Sequence, residues 1–197
     1  MKSYIFLIGI YLSSYYITNA QTTTLIYDLI VSNKTIGTVK TTKTLEGNQT
    51  TYTSDTDATI SFIIKTKITT RMTVVYKNDS LLSSDYKFYK NDNLKEYATV
   101  IIKEGKYILN HDGKKTEFKE GIKLSTILLP FEKPKNNVSY FEEVEGCFKV
   151  IKYENETLFK LINPKNNRND DYSYKDGIMQ KCVIRNSIVD FTMELKK

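Results

Sequence analysis

Between Thr56 and Tyr76 the side chains alternate with a period of two. Thr56, Ala58, Ile60, Phe62, Ile64, Thr66, Ile68, Thr70, Met72, Val74 and Tyr76 occupy one set of positions, and the other set is mostly Thr, Ser, Lys or Arg. Successive strand residues point to opposite faces, so the pattern is that of a half-buried β-strand rather than a helix, whose period is near 3.6. At ~3.3 Å per residue the run would extend roughly 70 Å, against a radius of gyration of ~16 Å for a domain of this length. It must therefore bend or break, and Phe62-Ile63-Ile64, where the alternation is interrupted, places the break between Ser61 and Ile64.

Strand-like runs recur over 25–31, 34–45, 80–89, 94–103, 106–110 and 114–118, and again over 147–153, 157–162, 172–174, 178–184 and 188–195. Between them stand short turn signals: Glu46-Gly47-Asn48, Asn78-Asp79, Asn91-Asp92-Asn93, Glu104-Gly105, Asp112-Gly113, Asn155-Glu156, Asp176-Gly177 and Asn186-Ser187. A parallel crossover needs roughly a dozen residues, so consecutive strands are expected to pair antiparallel as a meander. An aromatic-Lys-turn-aliphatic order repeats at Tyr76–Leu81, Tyr89–Leu94 and Tyr174–Ile178. It is hairpin chemistry, because the aromatic and the aliphatic meet across the turn. One segment departs from period two: Leu124, Ile127, Leu128 and Phe131 recur at helical spacing, and Pro130 limits them to a short helix. That helix either caps the core or plugs the open end of a curved sheet. Residues 163–171 read as a surface loop. The chain of 197 residues is thus expected to form one all-β domain over 21–197, an antiparallel meander making a curved sheet, barrel-like or sandwich, with one short helix.

The first 20 residues read differently. Lys2 gives a positive start, 4–12 an apolar run, and Thr18-Asn19-Ala20 a small-residue ending before Gln21. This is the pattern of a secretory signal peptide cleaved between Ala20 and Gln21. The apolar run is short of the ~20 residues that span a bilayer, so no transmembrane span is expected after cleavage. Cys147 and Cys182 are the two cysteines, both far from the cleavage point, so a lipoprotein anchor is not expected. The localisation so implied is exported, periplasmic or secreted. Loss of Lys2 lowers the net charge from +6 to +5. The lysines alternate with apolar residues, as in Ile64-Lys65-Thr66-Lys67-Ile68, which puts them on a solvated sheet face rather than in a nucleic-acid-binding patch.

In an exported chain Cys147 and Cys182 are a possible disulfide, and both also lie in apolar runs where a free cysteine behaves as a small hydrophobe. A conventional Cys/His zinc site lacks ligands, because the chain has one histidine. That residue, His111, stands at a hairpin tip beside Asp112, its side chain pointing to the opposite face. Ser125 has no nucleophile-elbow glycines around it and reads as a helix cap. The acidic groups Asp55/Asp57, Glu142-Glu143-Val144-Glu145 and Asp170-Asp171 do not fit a calcium loop. No cofactor and no catalytic residue is assigned, although a carboxylate pair assembled from distant positions would suit a hydrolase. The 15 Tyr and 9 Phe would either line an apolar cavity on a concave sheet face or fill an ordinary core.

The linear layout resembles an exported family of unknown function seen in Gram-negative bacteria. The resemblance is carried by Ile26-Tyr27-Asp28 followed by Lys34-Thr35-Ile36-Gly37, the long alternating strand pair, the tips Tyr76–Ser84 and Asp112-Gly113-Lys114-Lys115, Phe131-Glu132-Lys133-Pro134, and Tyr172–Ile178. It implies an all-β envelope protein without established catalytic residues. The half-open barrels of periplasmic lipoprotein and lipid carriers are a more distant architectural parallel. The function expected is a non-enzymatic envelope protein binding an apolar ligand, such as a lipid, or a lipidated partner on its concave face. The competing expectations are a structural or protein-interaction module with a filled core, binding another envelope protein, and a carboxylate-dependent hydrolase.

Overall fold

The structure, a computed structural model, describes residues 20–61, 65–119, 121–185 and 189–196. The expected leader lies outside the described residues except for Ala20, as do 62–64 and the turn signal Asn186-Ser187. The first run of strands is β1 (Gln21–Val31), β2 (Lys34–Glu46), β3 (Gln49–Ser61), β4 (Lys65–Lys77), β5 (Ser80–Lys90), β6 (Asn93–Lys103), β7 (Lys106–His111) and β8 (Lys114–Phe118). The second is β9 (Ser139–Glu142), β10 (Cys147–Tyr153), β11 (Leu158–Ile162), β12 (Asn169–Lys175), β13 (Ile178–Ile184) and β14 (Phe191–Leu195). All 14 belong to one antiparallel sheet, in the order β8-β7-β6-β5-β4-β3-β2-β1-β14-β13-β12-β11-β10-β9.

The chain meanders outward from β1 to one edge, crosses to the opposite edge, and meanders back until β14 pairs with β1, Tyr27 opposite Leu195. The long alternating run is split as its length required, into β3 and β4 paired along their whole lengths from Gln49–Lys77 to Ser61–Lys65. At five of the predicted turns both central residues have positive φ: Asn78-Asp79, Asn91-Asp92, Glu104-Gly105, Asp112-Gly113 and Asp176-Gly177. Mirror-image turns of this kind match the right-handed twist of the flanking strands.

Two expectations are corrected. The helix over 124–131 is a single 3-10 turn, Thr126–Leu128, because Pro130 leaves too few residues for a helical ladder. Ser125 does not cap it, having no side-chain cap bond; its Oγ instead accepts the Tyr76 hydroxyl at 2.7 Å. The loop over 163–171 is shorter than expected, since β12 begins at Asn169.

The crossing segment between β8 and β9 runs through the interior of the curl and plugs it. Ile122 O accepts the Leu81 amide of β5 at 2.8 Å, and Leu124 O accepts the Phe141 amide of β9 at 2.9 Å. Farther along, Leu129 O accepts the Tyr174 hydroxyl at 2.9 Å. Backbone groups buried without water need such partners, and here they come from both runs of strands. The edge strands approach each other through the Phe118 and Phe141 rings, 5.7 Å apart and edge to face, yet β8 and β9 share no ladder, so the sheet is curled and open. One buried cluster forms around Tyr27, Ile151, Phe159 and Met179, another around Val74, Leu81, Val100 and Phe141, and Leu124 packs against both.

Gly37 of β2 sits opposite Ala58 of β3. A Cβ there would lie 2.1 Å from Asp57 O and 2.5 Å from the Ala58 Cα, contacts that only backbone movement can relieve. Gly37→Ala is expected to destabilise the fold by about 1–3 kcal/mol, the usual range for overpacking. Urea denaturation followed by tyrosine fluorescence measures it, and a loss below the error of the fit would show that the strands separate without cost.

Candidate ligand cavity on the concave face

Strand register builds the cavity floor row by row. Thr41 of β2 stands opposite Ser54 of β3, Ser54 opposite Met72 of β4, and Met72 opposite Tyr86 of β5. The next inward row is Val39, Thr56, Thr70 and Phe88, and the third is Gly37, Ala58 and Ile68. Gly37, Thr41, Ser54, Thr56, Ala58 and Thr70 are small, so beside the larger Met72, Tyr86 and Phe88 the concave face is not filled by its own floor. Met179, Cys182, Phe191 and Met193 form the opposite wall, and Ile127, Leu129 and Pro130 of the crossing segment stand over it. The space these residues border, open to solvent, is about 640 Å³, within the ~300–1,000 Å³ of small-molecule sites.

The aromatic expectation needs adjustment, because most buried tyrosines serve the core instead of the cavity. Tyr27 donates to Met179 O at 3.1 Å, Tyr107 to Leu81 O at 2.9 Å, Tyr76 to Ser125 and Tyr174 to Leu129 O. Each hydroxyl ties one element of the curl to another. Tyr86, Phe88, Tyr172 and Phe191 are the aromatics that line the cavity.

The cavity is acidic where β9, its turn and β6 meet it. Glu96, Glu142 and Glu145 line it, whereas no lysine or arginine does among the described residues, in a chain carrying 29 of them. Glu142 accepts the Glu145 amide at 2.6 Å and the Val144 amide at 3.4 Å. Burial raises its carboxyl above the ordinary value, with Lys149 opposing the shift and Glu143 adding to it. Glu145 accepts Asn163 Nδ2 at 3.1 Å and the Cys147 thiol at 3.6 Å. Glu96 lies 2.8 Å from His111 Nε2. The Tyr86 phenol is pushed up by burial first and then by Glu96 and Glu142. Behind the turn, Glu143 is 0% exposed and holds the crossing segment, accepting Thr126 Oγ1 at 2.6 Å and the Ile127 amide at 3.2 Å. Thr41 is 1% exposed, lines the cavity, and its Oγ1 has no hydrogen-bond partner among the described residues.

Among the described residues, two groups have donor atoms within 4.8 Å of one another, Glu142 with Glu145 and Cys147, and Glu96 with His111 and Asp112. Both are engaged internally. The Cys147 thiol is pushed up to about 11 by burial and by Glu145, which disfavours the thiolate that metals prefer, and Asp112 Oδ1 accepts the Tyr97 amide at 2.9 Å. Glu142 and Glu145 share one turn, whereas the two carboxyls of a glycosidase flank the scissile bond.

The other residues singled out in the sequence are not brought together. Cys147 and Cys182 are free, buried thiols, correcting the possible bridge: β11 and β12 lie between their strands, a separation of roughly 14 Å at ~4.8 Å per strand against a disulfide reach of ~7 Å. Asp57 pairs with Arg71 at 3.0 Å on the exposed face, and Asp170 accepts the Arg185 amide at 2.9 Å. The pairing of His111 with Glu96 was hidden in the sequence, because it depends on the β6–β7 register that sets Ala98 opposite His111.

A curled, open antiparallel sheet around an apolar hollow is a barrel-like all-β architecture. A solved structure shares it: the crystal structure of a beta-barrel-like protein of domain of unknown function DUF1849 from Brucella abortus matches with a TM-score of 0.52 at 12% identity, covering 88% of this chain and 95% of that one. At that identity the likeness is one of fold. Residues 27–196 match the family described as domain of unknown function DUF6134, and the chain belongs to that family. No curated protein matches it.

Proposed function

We propose that the protein is an exported, non-enzymatic binding protein that holds an apolar ligand, a lipid or the acyl group of a lipidated partner, in the cavity of its concave face. The observation that carries this reading is the 640 Å³ hollow between the two runs of strands, with walls of Val, Ile, Leu, Met and Phe. A filled-core interaction module would pack that space to the density of an ordinary interior. Export is read from the leader-like first 20 residues and the processing point Ala20-Gln21. Water leaving apolar walls supplies the binding free energy, about 25 cal/mol for each Å² covered.

The full chain, produced in a bacterium with a periplasm and purified, is expected to carry extra mass in native mass spectrometry that disappears on denaturation and is identified as lipid. Ala58→Phe, which fills the cavity floor, is expected to abolish that mass. A bare wild-type protein that takes up nothing from lipid extract would overturn the reading.

A further inference from the structure

The reading above leaves the polar features of the cavity unexplained. Two independent observations bear on them. The first is charge: in a chain of net charge +6, the cavity is lined by three carboxylates and, among the described residues, by no cation. Glu96 has His111 beside it at 2.8 Å. Among the described residues, Glu142 and Glu145 have neutral donors at hydrogen-bond distance: the amides of Val144 and Glu145, the Asn163 side chain and the Cys147 thiol. Lys149, which Glu142 feels electrostatically, stands opposite Tyr140 on the next strand. The second observation is Thr41, whose hydroxyl is buried on the cavity wall without a partner among the described residues. A buried hydroxyl left unpaired is costly, and Thr41 is one of the residues that line the cavity.

We propose that the ligand is a cationic amphiphile, with an amine head at the Glu142–Glu145 end of the cavity, a hydrogen-bonding group behind the head at Thr41, and an alkyl chain along the Val39, Ala58 and Ile68 floor. This rests on the apolar-cavity reading and adds the identity of the head. Glu142 is half-buried, in surroundings of lower effective dielectric than water, where opposite charges attract more strongly, and Glu145 stands exposed beside it. A carboxylate head there would meet like charge, and a neutral head would bring no opposite charge to acids whose hydrogen-bond donors are neutral. Charge therefore sets the preference among amphiphiles of equal chain length.

The test uses three amphiphiles with one chain and one amide linkage, the dodecanoyl amides of ethylenediamine, ethanolamine and glycine, which end in an ammonium, a hydroxyl and a carboxylate. Calorimetric titration of the full chain, below micelle-forming concentrations, is expected to give the amine roughly tenfold tighter binding than the alcohol, and the glycine amide weaker binding than either. Glu142→Gln combined with Glu145→Gln keeps the oxygen acceptors of the turn and is expected to bring the amine to within about twofold of the alcohol. Thr41→Val is expected to weaken all three compounds alike. Equal binding of the three, or an amine preference that survives the Gln pair, overturns the cationic head and leaves the apolar cavity standing. An undiminished affinity in Thr41→Val overturns the Thr41 contact. Failure of all three to bind overturns the cavity reading itself.

Discussion

Phe141→Ala is expected to destabilise the protein by about 3–5 kcal/mol, the range for deleting a buried aromatic ring when its surroundings relax only in part. A domain's whole stability is only about 5–15 kcal/mol, so the variant stands near the limit of folding. Phe141 is 0% exposed and meets two rings edge to face, Phe118 at 5.7 Å and Phe148 at 5.5 Å. Its position matters as much as its area, because Phe118 ends β8 and Phe141 belongs to β9, the two edges of one sheet. No ladder joins those edges, so side-chain packing must hold the curl in place. Urea denaturation read by near-ultraviolet dichroism measures the loss, and Phe141→Leu, which keeps most of the apolar volume, should lose less. A cost below about 1 kcal/mol, well under the range for such a deletion, would show that the curl is held elsewhere. Because the same curl borders the cavity, the variant should also bind the proposed amphiphile more weakly than Gly37→Ala, whose strain falls within the floor.

Much of this architecture was legible because strand physics is local. Alternation along 56–76 required a pair of strands, and turn pairs such as Asn78-Asp79 and Asp176-Gly177 announced their own positive-φ geometry. Short loops then dictated antiparallel neighbours. What local patterns could not reveal was the jump from β8 to β9 across the whole sheet, or the pairing of β14 with β1, since strands so distant in sequence carry no mark of each other. β9 itself, Ser139–Glu142, is four residues long and too short to show a period. The site divides in the same way. An apolar concave face followed from amphipathic strands, whereas the convergence of Glu96, Glu142 and Glu145 depends on how far the sheet curls. Glu142-Glu143-Val144-Glu145 was visible as an acidic run, but neighbouring residues in a tight turn take separate roles. Glu142 and Glu145 face the cavity, and Glu143 goes into the core to hold Thr126 and Ile127.

That buried residue is expected to invert the response of stability to pH. Burial is the largest cause acting on the Glu143 carboxyl and raises it above its ordinary value of 4.5, against hydrogen bonds from Ser125, Thr126 and Ile127 that oppose the shift. Glu142 and Asp170 are raised for the same leading reason. A carboxyl raised in the folded state binds its proton more tightly there than in the unfolded chain. From the ordinary carboxyl value up to the raised folded value the native state holds more protons, and stability falls as pH increases through that window. The protein is therefore expected to need more urea to unfold at pH 5 than at pH 7.5, the reverse of a fold held by salt-bridged carboxylates. Glu143→Gln keeps an acceptor for Thr126 and Ile127 but cannot ionise, so the difference between the two pH values should shrink in that variant. Glu143→Ala removes the acceptor and leaves the half-buried Thr126 hydroxyl and the buried Ile127 amide unpaired, each costing about 1–3 kcal/mol. A total loss of about 2–6 kcal/mol on that basis would loosen the crossing segment, and with it the Ile127 and Leu129 roof of the cavity. A urea midpoint that rises with pH in the wild type, or a slope that Glu143→Gln leaves unchanged, would show that this carboxyl is not the group that ties the turn after β9 to the interior.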